Sequence, residues 1–573
     1  VTVATVADVL AGSIADLGCS HFFQVTGSDP ALWFALRRAG VRMVPARTEH
    51  GAVYMADGAA RMSGRPAFAY AQHGPGFANA CAAMAEPYWS QSGVITVASA
   101  VAGPARGRVG YQELDQPAMS QPVTKAVVRI TGGEDCGTAM AKAYHAACSV
   151  PCGPVHVEVP RDVLAGSATA SADEGTDSGG GVEAGAFDPG GPESEPDTAA
   201  AAGMLADAVR PLVIAGSGAV RAGAFAELYR LAELLDVPVA TTLGGKGAMP
   251  EHHRLALGVV GRYGLAALND VVREADVVLA VGTRLGELSS DGYRLIPPGR
   301  TVIQVDADKR ALGVTHPVSL AVRADAKAFL GLLTETLLAR GGIDRPDGTG
   351  WARTAARRRD EAWREAAGHH SAAASAGTAE LHPADVVRLL AEHDREDVTI
   401  VADTGYMAAW TGTHYRLRTA GLRYLRANGS LGWAIPASIG AALVAPDRRI
   451  VTVTGDGGAA YNIMELETAV RCNAAVLVVM LNNRSFALER HVQLQAFGTA
   501  LHDINDFVDV DYAGIATALG AHGRTVTDLP TLDEEVRGFL TEPRLTLLDV
   551  RTDASAVGPV TTLGPLNGRR GGA

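Results

Sequence analysis

The stretch GDGGAAYNIMELETAVRCNAAVLVVMLNN, residues 455–483, ends one apolar run on an acidic glycine turn and a second apolar run on two asparagines. Asp456 is a hard oxygen donor at the exit of an expected strand. Asn483, 27 positions on, stands at the exit of the next strand, so two neighbouring strand ends would bring both residues to one cation. Oxygen ligands of this kind suit magnesium, which keeps waters and takes its remaining ligands from a bound phosphate. Gly457 and Gly458 let backbone approach a ligand closely, and the helix that follows offers free N–H groups to the same phosphate. Either residue alone reads as a turn aspartate or a strand-end asparagine; the pairing carries the chemistry.

Such positions need particular elements to hold them. Short β-rich runs alternate with helical patterns in three blocks: AFAYAQ, GVITVASAV and GPVHVEVP; PLVIAG, DVVLAVG and TVIQVDAD; VTIVAD, RIVTVTGDG, AVLVVMLNN and LTLLDV. Apolar strands separated by helices form parallel sheets covered on both faces. The expected fold class is therefore α/β, with three doubly wound parallel-sheet domains. Ligands of such sheets sit at the strand C-terminal ends, where HGPG, GDGG and NN all fall. Residues 166–198 form a Gly/Ser/Ala/acidic linker with little to bury. Residues 341–382 form a second linker, in which GGIDRPDGTG leads into a charged surface helix, WARTAARRRDEAWREAAGHH. The expected domains are 1–165, 199–340 and 383–556, with a Gly-rich tail at 557–573.

Composition agrees with this architecture. At 573 residues the chain exceeds one hydrophobic core, and 47% hydrophobic residues with only 5% aromatic and 66 glycines fit an α/β protein. A net charge of -12 argues against nucleic acid as a partner. The six cysteines (Cys19, Cys81, Cys136, Cys148, Cys152 and Cys472) are scattered, and no second pair completes a zinc site around Cys148 and Cys152. The first residues lack the basic start of a signal peptide, and no run of about 18 apolar residues occurs. The expectation is a cytoplasmic protein with no membrane partner.

GDG, a spacer and NN after an apolar strand together resemble the signature of thiamine diphosphate enzymes, in particular acetohydroxyacid (acetolactate) synthases and 2-hydroxyacyl-CoA lyases. The resemblance covers nearly the whole chain and implies a pyrimidine-binding, a central and a diphosphate-binding domain for the three blocks. It implies thiamine diphosphate and Mg2+ as cofactors, with Asp456, the Asn483 side chain and the Ser485 carbonyl as metal ligands. RTEHGAVYMADGAARMSGR is similar to the family's RHEQGA segment, so Glu49 is implied to hydrogen-bond the pyrimidine ring and favour the tautomer that activates the cofactor. AQHGPGFANA resembles the SGPG loop that lies against the cofactor. There Gly74 keeps its place and His73 replaces a small residue, either as a proton shuttle or hydrogen-bond donor, or as a loop histidine beside the pyrimidine. Gln112 in GYQELDQP resembles the glutamine of FQE, which faces the reaction centre. DTGYMAAW is similar to the loop whose main chain holds the diphosphate, making Gly405, Tyr406 and Met407 candidates. GSLGWAIPASIGA resembles GTMGFGLPAAIGA, with Leu431 as the apolar wedge that bends the cofactor. Gly455 to Gly458 and Phe486 complete the cofactor-binding set.

After the two asparagines, RSFALERHVQLQAFG places Glu489 on the first turn of a helix. Lyases of the family have a glutamate at a similar place that moves protons; the other reading is a surface glutamate paired with a cation. The central block resembles the domain that holds flavin in acetohydroxyacid synthases, but Arg284 in RLGEL stands in their RFDDR stretch and GRYG replaces GMHG. FAD, ADP or neither is left open there, since Gly216 and Gly218 also simply close a strand-to-helix turn. The implied reaction is carbon–carbon bond cleavage and formation on a small 2-oxo acid, decarboxylation with carboligation as in acetolactate synthases. The alternatives are a 2-hydroxyacyl-CoA lyase and a non-catalytic thiamine diphosphate-binding protein. The family's site lies between subunits, so a homodimer or homotetramer is expected, acting on a small 2-oxo acid or acyl substrate.

Overall fold

A computed structural model describes residues 4–133, 135–168, 197–341, 350–374 and 380–561. Most of the expected linker 166–198, and residues 562–573 of the expected tail, lie outside the described residues. The described chain forms three six-stranded parallel sheets flanked by helices, which is the predicted fold class.

The first sheet runs Arg42–Pro45, His21–Gln24, Ala67–Ala71, Val94–Ala100, Val155–Pro160, Ala126–Arg129. The third runs Tyr424–Arg426, Val398–Ala402, Arg449–Gly455, Val476–Asn482, Thr546–Arg551, His522–Val526. Counted in chain order within each sheet, both have the order 2-1-3-4-6-5. In each, the order reverses between the first strand and the third, and a parallel sheet opens its ligand crevice at that switch point. The central sheet runs Leu320–Arg323, Thr301–Asp306, Val277–Val281, Pro211–Ala215, Val239–Thr241, Ala256–Val259.

The helix Glu49–Ser63 starts on Thr48, whose side chain accepts from Gly51 N, and stops at Gly64 in the left-handed region. It crosses the helix Ala434–Val444 of the third domain through glycines. A Cβ on Gly58 would lie 2.0 Å from the Ala437 carbonyl oxygen, and one on Gly440 1.9 Å from that of Met55. Backbone therefore meets backbone, and one continuous core spans Phe23, Met55 and Phe77 on one side and Trp433, Ile435 and Met480 on the other. Glu465 adds a polar tie by accepting from the main-chain N–H groups of Arg47 and Thr48.

The helix Trp351–Ala374 of the expected second linker lies on the central domain, where Trp351 Nε1 donates to Pro211 O at 2.9 Å. At the other end of the chain, Thr561 N donates to Arg262 O at 2.9 Å. No helix among the described residues is long and apolar enough to cross a membrane.

Candidate active site

In the third sheet the switch-point strands Val398–Ala402 and Arg449–Gly455 exit onto Asp403 and Asp456, which are 1% and 2% exposed. The Asp456 carboxylate meets the main-chain N–H groups of Asn483 and Gly457. Burial pushes its pKa up to about 6, and nearby Asp549 adds repulsion. A buried carboxylate in acidic company is costly unless a cation joins it, so Asp456 fits a hard-metal ligand.

The two asparagines divide the labour. Asn482 is used within the sheet: its Nδ2 donates to Asp549 Oδ1 at 2.8 Å and its Oδ1 accepts from Arg484 N at 3.1 Å. Asn483 is half-buried, and its Oδ1 accepts from Ser485 N at 3.1 Å. Arg484 between them has φ +56°, a left-handed turn that a non-glycine residue adopts rarely. This turn is stapled from outside by Phe486 N to Asn505 O (2.9 Å) and Phe507 N to Arg484 O (2.7 Å).

Absent side chains let neighbouring groups close in on the turn after Asp456. A Cβ on Gly457 would lie 2.5 Å from Phe486 Cε1, and one on Gly458 2.8 Å from Asp403 Oδ2. Gly455 has ordinary room beside Met407 Cε at 3.7 Å. Gly405, φ +71° and ψ -140°, starts the helix Tyr406–His414 in a conformation that favours glycine. Its N-terminal amides and those of the helix Asp456–Asn462 open from neighbouring strand exits, an arrangement suited to a diphosphate. Tyr406 Oη is fixed by His491 Nδ1 at 2.8 Å. Leu431 is half-buried, and Gly432 beyond it (φ +77°) accepts at its carbonyl from Asn462 Nδ2 at 2.9 Å.

In the first domain the matching switch point lies between His21–Gln24 and Ala67–Ala71. Glu49, half-buried, opens its helix, and its Oε2 accepts from Asn79 Nδ2 at 3.2 Å. Gln72 bridges two loops: its Oε1 accepts from Ser28 N at 3.2 Å and its Nε2 donates to Gln112 Oε1 at 3.1 Å. Gln112 has φ +60°, and a Cβ on Gly74 would lie 2.4 Å from the Gln112 carbonyl oxygen. Gly74 is thus glycine because the Gln112 loop leans on it. His73 is 3% exposed, with Nδ1 3.3 Å from Ser99 Oγ and a bond to the Tyr111 main chain. Burial, helped by Arg161, lowers its pKa and keeps the ring neutral at pH 7.

Two clusters result. Glu49, Gln72, His73, Gly74 and Gln112 share the first domain; Gly405 to Met407, Leu431, Gly455 to Gly458, Asn483, Ser485 and Phe486 share the third. Among the described residues no hydrogen bond joins Glu49, Gln72 or Gln112 to Asp456, Asn483 or Ser485. Glu489 lies exposed on the first turn of the helix Ala487–Phe497. In the central domain, Gly218 N donates to Gly282 O at 2.9 Å, and a Cβ on Gly216 would lie 2.3 Å from that oxygen. Those glycines serve backbone packing.

Sequence reasoning passed over Asp403, Gln72 and Asn79. Asp403 follows the strand Val398–Ala402 as Asp456 follows its own strand, so the same strand-then-acid pattern marks it. Its Oδ1 accepts from Thr404 N and its Oδ2 from Thr454 Oγ1, both at 2.9 Å, and burial raises its pKa to about 6. Nothing in the local pattern distinguishes Gln72 or Asn79 from ordinary loop and helix polars.

Comparison with known proteins agrees with the three sheets. Residues 4–119 match the thiamine pyrophosphate enzyme N-terminal TPP binding domain, 198–333 the central domain and 403–550 the C-terminal TPP binding domain. A sulfoacetaldehyde acetyltransferase of Castellaniella defragrans is 30% identical over 560 residues, 93% of this chain and 90% of the relative. A probable 2-ketoarginine decarboxylase of Pseudomonas aeruginosa is 32% identical over 557 residues, 96% of this chain and 94% of the relative. The large subunit of acetolactate synthase isozyme 3 of Escherichia coli is 28% identical over 559 residues, 96% and 95% of the two chains. Domain order, switch-point geometry and relatives along the full length agree: this chain belongs to the thiamine pyrophosphate enzyme family, as an enzyme of the acetolactate synthase, sulfoacetaldehyde acetyltransferase and decarboxylase type.

Proposed function

We propose that the protein decarboxylates a small 2-oxo acid such as pyruvate and joins the acyl fragment to a second carbonyl compound. The observation that carries this reading is the buried Asp456 beside Asn483 at two adjacent strand exits, with Phe486 and Asp403 packed against Gly457 and Gly458. Asp456, the Asn483 side chain and the Ser485 carbonyl would hold Mg2+, and through it the diphosphate of thiamine diphosphate. When bound, the cofactor supplies a nucleophilic carbon and an electron sink for breaking the bond between the carbonyl and carboxylate carbons.

The chain's own residues then have limited tasks. Glu49 holds a proton at the pyrimidine ring, with Asn79 fixing its carboxylate. Gln112, oriented by Gln72, presents a neutral donor to a substrate carbonyl or hydroxyl without adding charge. Leu488, whose Cδ2 lies 4.0 Å from a Cβ built on Gly405, and Phe486 keep water from the region above the metal ligands. No step is assigned to a nucleotide in the central domain.

We take each site to lie between subunits of a homodimer or homotetramer, with Glu49 from one copy and Asp456 from another; this rests on the resemblance to the family. The test is turnover of a panel of 2-oxo acids by the protein loaded with thiamine diphosphate and Mg2+, reading carbon dioxide release and product mass. Release from a small 2-oxo acid, lost in Glu49→Gln, is expected. Turnover confined to a 2-hydroxyacyl-CoA would replace this reading by the lyase.

A further inference from the structure

A buried charged cluster outside both groups joins the first domain to the loop that leads into the helix Ala434–Val444. Glu86 is 1% exposed. Its Oε1 accepts from Asn428 N at 2.7 Å and Arg61 Nη2 at 2.8 Å, and its Oε2 from Ser430 N at 3.3 Å. Arg61 Nη1 donates to Arg426 O at 2.6 Å, and the guanidinium lies 4.5 Å from the centre of the Trp433 ring. Asp57, fully buried, pairs with Arg61 at 2.6 Å and accepts the Trp433 indole N–H at 2.8 Å. The Tyr54 hydroxyl hydrogen-bonds Ser430.

Residues 426, 428, 430 and 433 are thus each gripped by a first-domain side chain, and Leu431 lies inside that span. The loop has little shape of its own, because Gly429 (φ +132°) and Gly432 (φ +77°) both occupy glycine-favoured backbone. Its form is set by a carboxylate that receives two amide N–H groups and a guanidinium, the charge-assisted bonds that are strongest when buried. Tyr54, Asp57 and Arg61 recur at helical spacing on one face of the helix that begins with Glu49.

We propose that Glu86, with Arg61 and Asp57, is a positioning residue that fixes loop 427–432 and so sets the seat of Leu431 against thiamine diphosphate. The inference rests on the reading of Leu431 as a cofactor contact. Glu86→Gln is nearly isosteric, keeps an acceptor for Asn428 and turns an amide NH2 toward the Ser430 N–H. Trp433→Phe keeps the ring under Arg61 and removes only the indole donor.

The experiment combines three readouts on the full-length protein: amide hydrogen exchange in the absence of cofactor, calorimetric titration with thiamine diphosphate and Mg2+, and Tm. In Glu86→Gln, exchange over 427–433 rises roughly tenfold and thiamine diphosphate affinity falls roughly tenfold, the loss of about one charged hydrogen bond. Exchange in the strand Val476–Asn482 stays as in the wild type. Trp433→Phe moves the same readouts in the same direction by less, and serves if Glu86→Gln does not fold. Unchanged loop exchange and affinity, or a rise in exchange throughout the molecule with a fall in Tm, overturns the proposal in favour of a plain interdomain salt bridge. Wild-type protein that binds no thiamine diphosphate overturns the functional reading and the proposal with it. Wild-type binding matched by equal binding in Glu86→Gln overturns the proposal alone.

Discussion

The main-chain N–H of Asn483 donates to the carboxylate of Asp456, so the first residue beyond one strand holds the first residue beyond its neighbour. Parallel register makes this possible, since Gly455 pairs with Leu481. Removing the charge at Asp456 removes a metal ligand and also a buried carboxylate that costs stability on its own. Asp456→Asn should weaken thiamine diphosphate binding in the presence of Mg2+ by on the order of 100-fold, with the Tm of the cofactor-free protein unchanged or higher. Calorimetry and thermal unfolding check the two halves.

Gly457 is glycine because Phe486 occupies the space where its side chain would be. Gly457→Ala should cost about 1–3 kcal/mol in denaturant unfolding, as overpacking of a filled site does. Combining it with Phe486→Leu should recover part of that loss, and a double-mutant cycle gives the coupling.

If each site draws Glu49 and Asp456 from different copies, two inactive variants complement each other. Glu49→Gln mixed equally with Asp456→Asn, by co-expression, should recover about a quarter of wild-type turnover, because about half the dimers are mixed and each of those has one intact site. Absence of any recovery would place both residues in a site within one chain.

Asp403 gives a pH dependence. Its pKa in the folded state is raised from 3.8 to about 6 by burial. A raised carboxyl pKa means stability that is fully present below pH 4 and is lost as pH rises through 6. The loss amounts to roughly 3 kcal/mol when complete. Asp403→Asn should flatten the fall in Tm between pH 4 and 7 for the cofactor-free protein, which thermal unfolding across that range checks.

Lys246 and Glu251 form a buried ion pair at 2.6 Å in the central domain, and Lys246 Nζ also donates to Gly412 O in the helix that starts at Tyr406. Lys246→Met strands Glu251 without its cation and should destabilise the protein by about 3–5 kcal/mol, whereas the double change Lys246→Met with Glu251→Leu should restore most of it. Urea unfolding followed by circular dichroism measures both.

What was legible in the sequence follows from what constrains a residue locally. Asp456, Gly457, Gly458 and Asn483 sit at strand ends, where period, glycine and a ligand-bearing side chain coincide within a short window, and the alternation of apolar runs carried the three parallel sheets. Glu86 shows the opposite case. Within AMAEPYWS it reads as an ordinary helical acid, because its partner Asn428 lies 342 positions away. His73 was legible as unusual, but only the fold reveals that Ser99 and Tyr111 engage its ring. The roles of Gly216 and Gly218 were ambiguous because a glycine that admits a phosphate and one that admits a neighbouring carbonyl look alike until Gly282 is seen beside them.

The glycine crossing of Gly58 on Ala437 and Gly440 on Met55 brings main chain directly against main chain at the joint. A side chain at either glycine would push the two helices apart, so the packing of the first domain on the third depends on both positions staying glycine. The loop carrying Gln112 lies outside that joint, with Val109 and Tyr111 97% and 81% exposed beside it, so a change there leaves the packing of the two domains untouched.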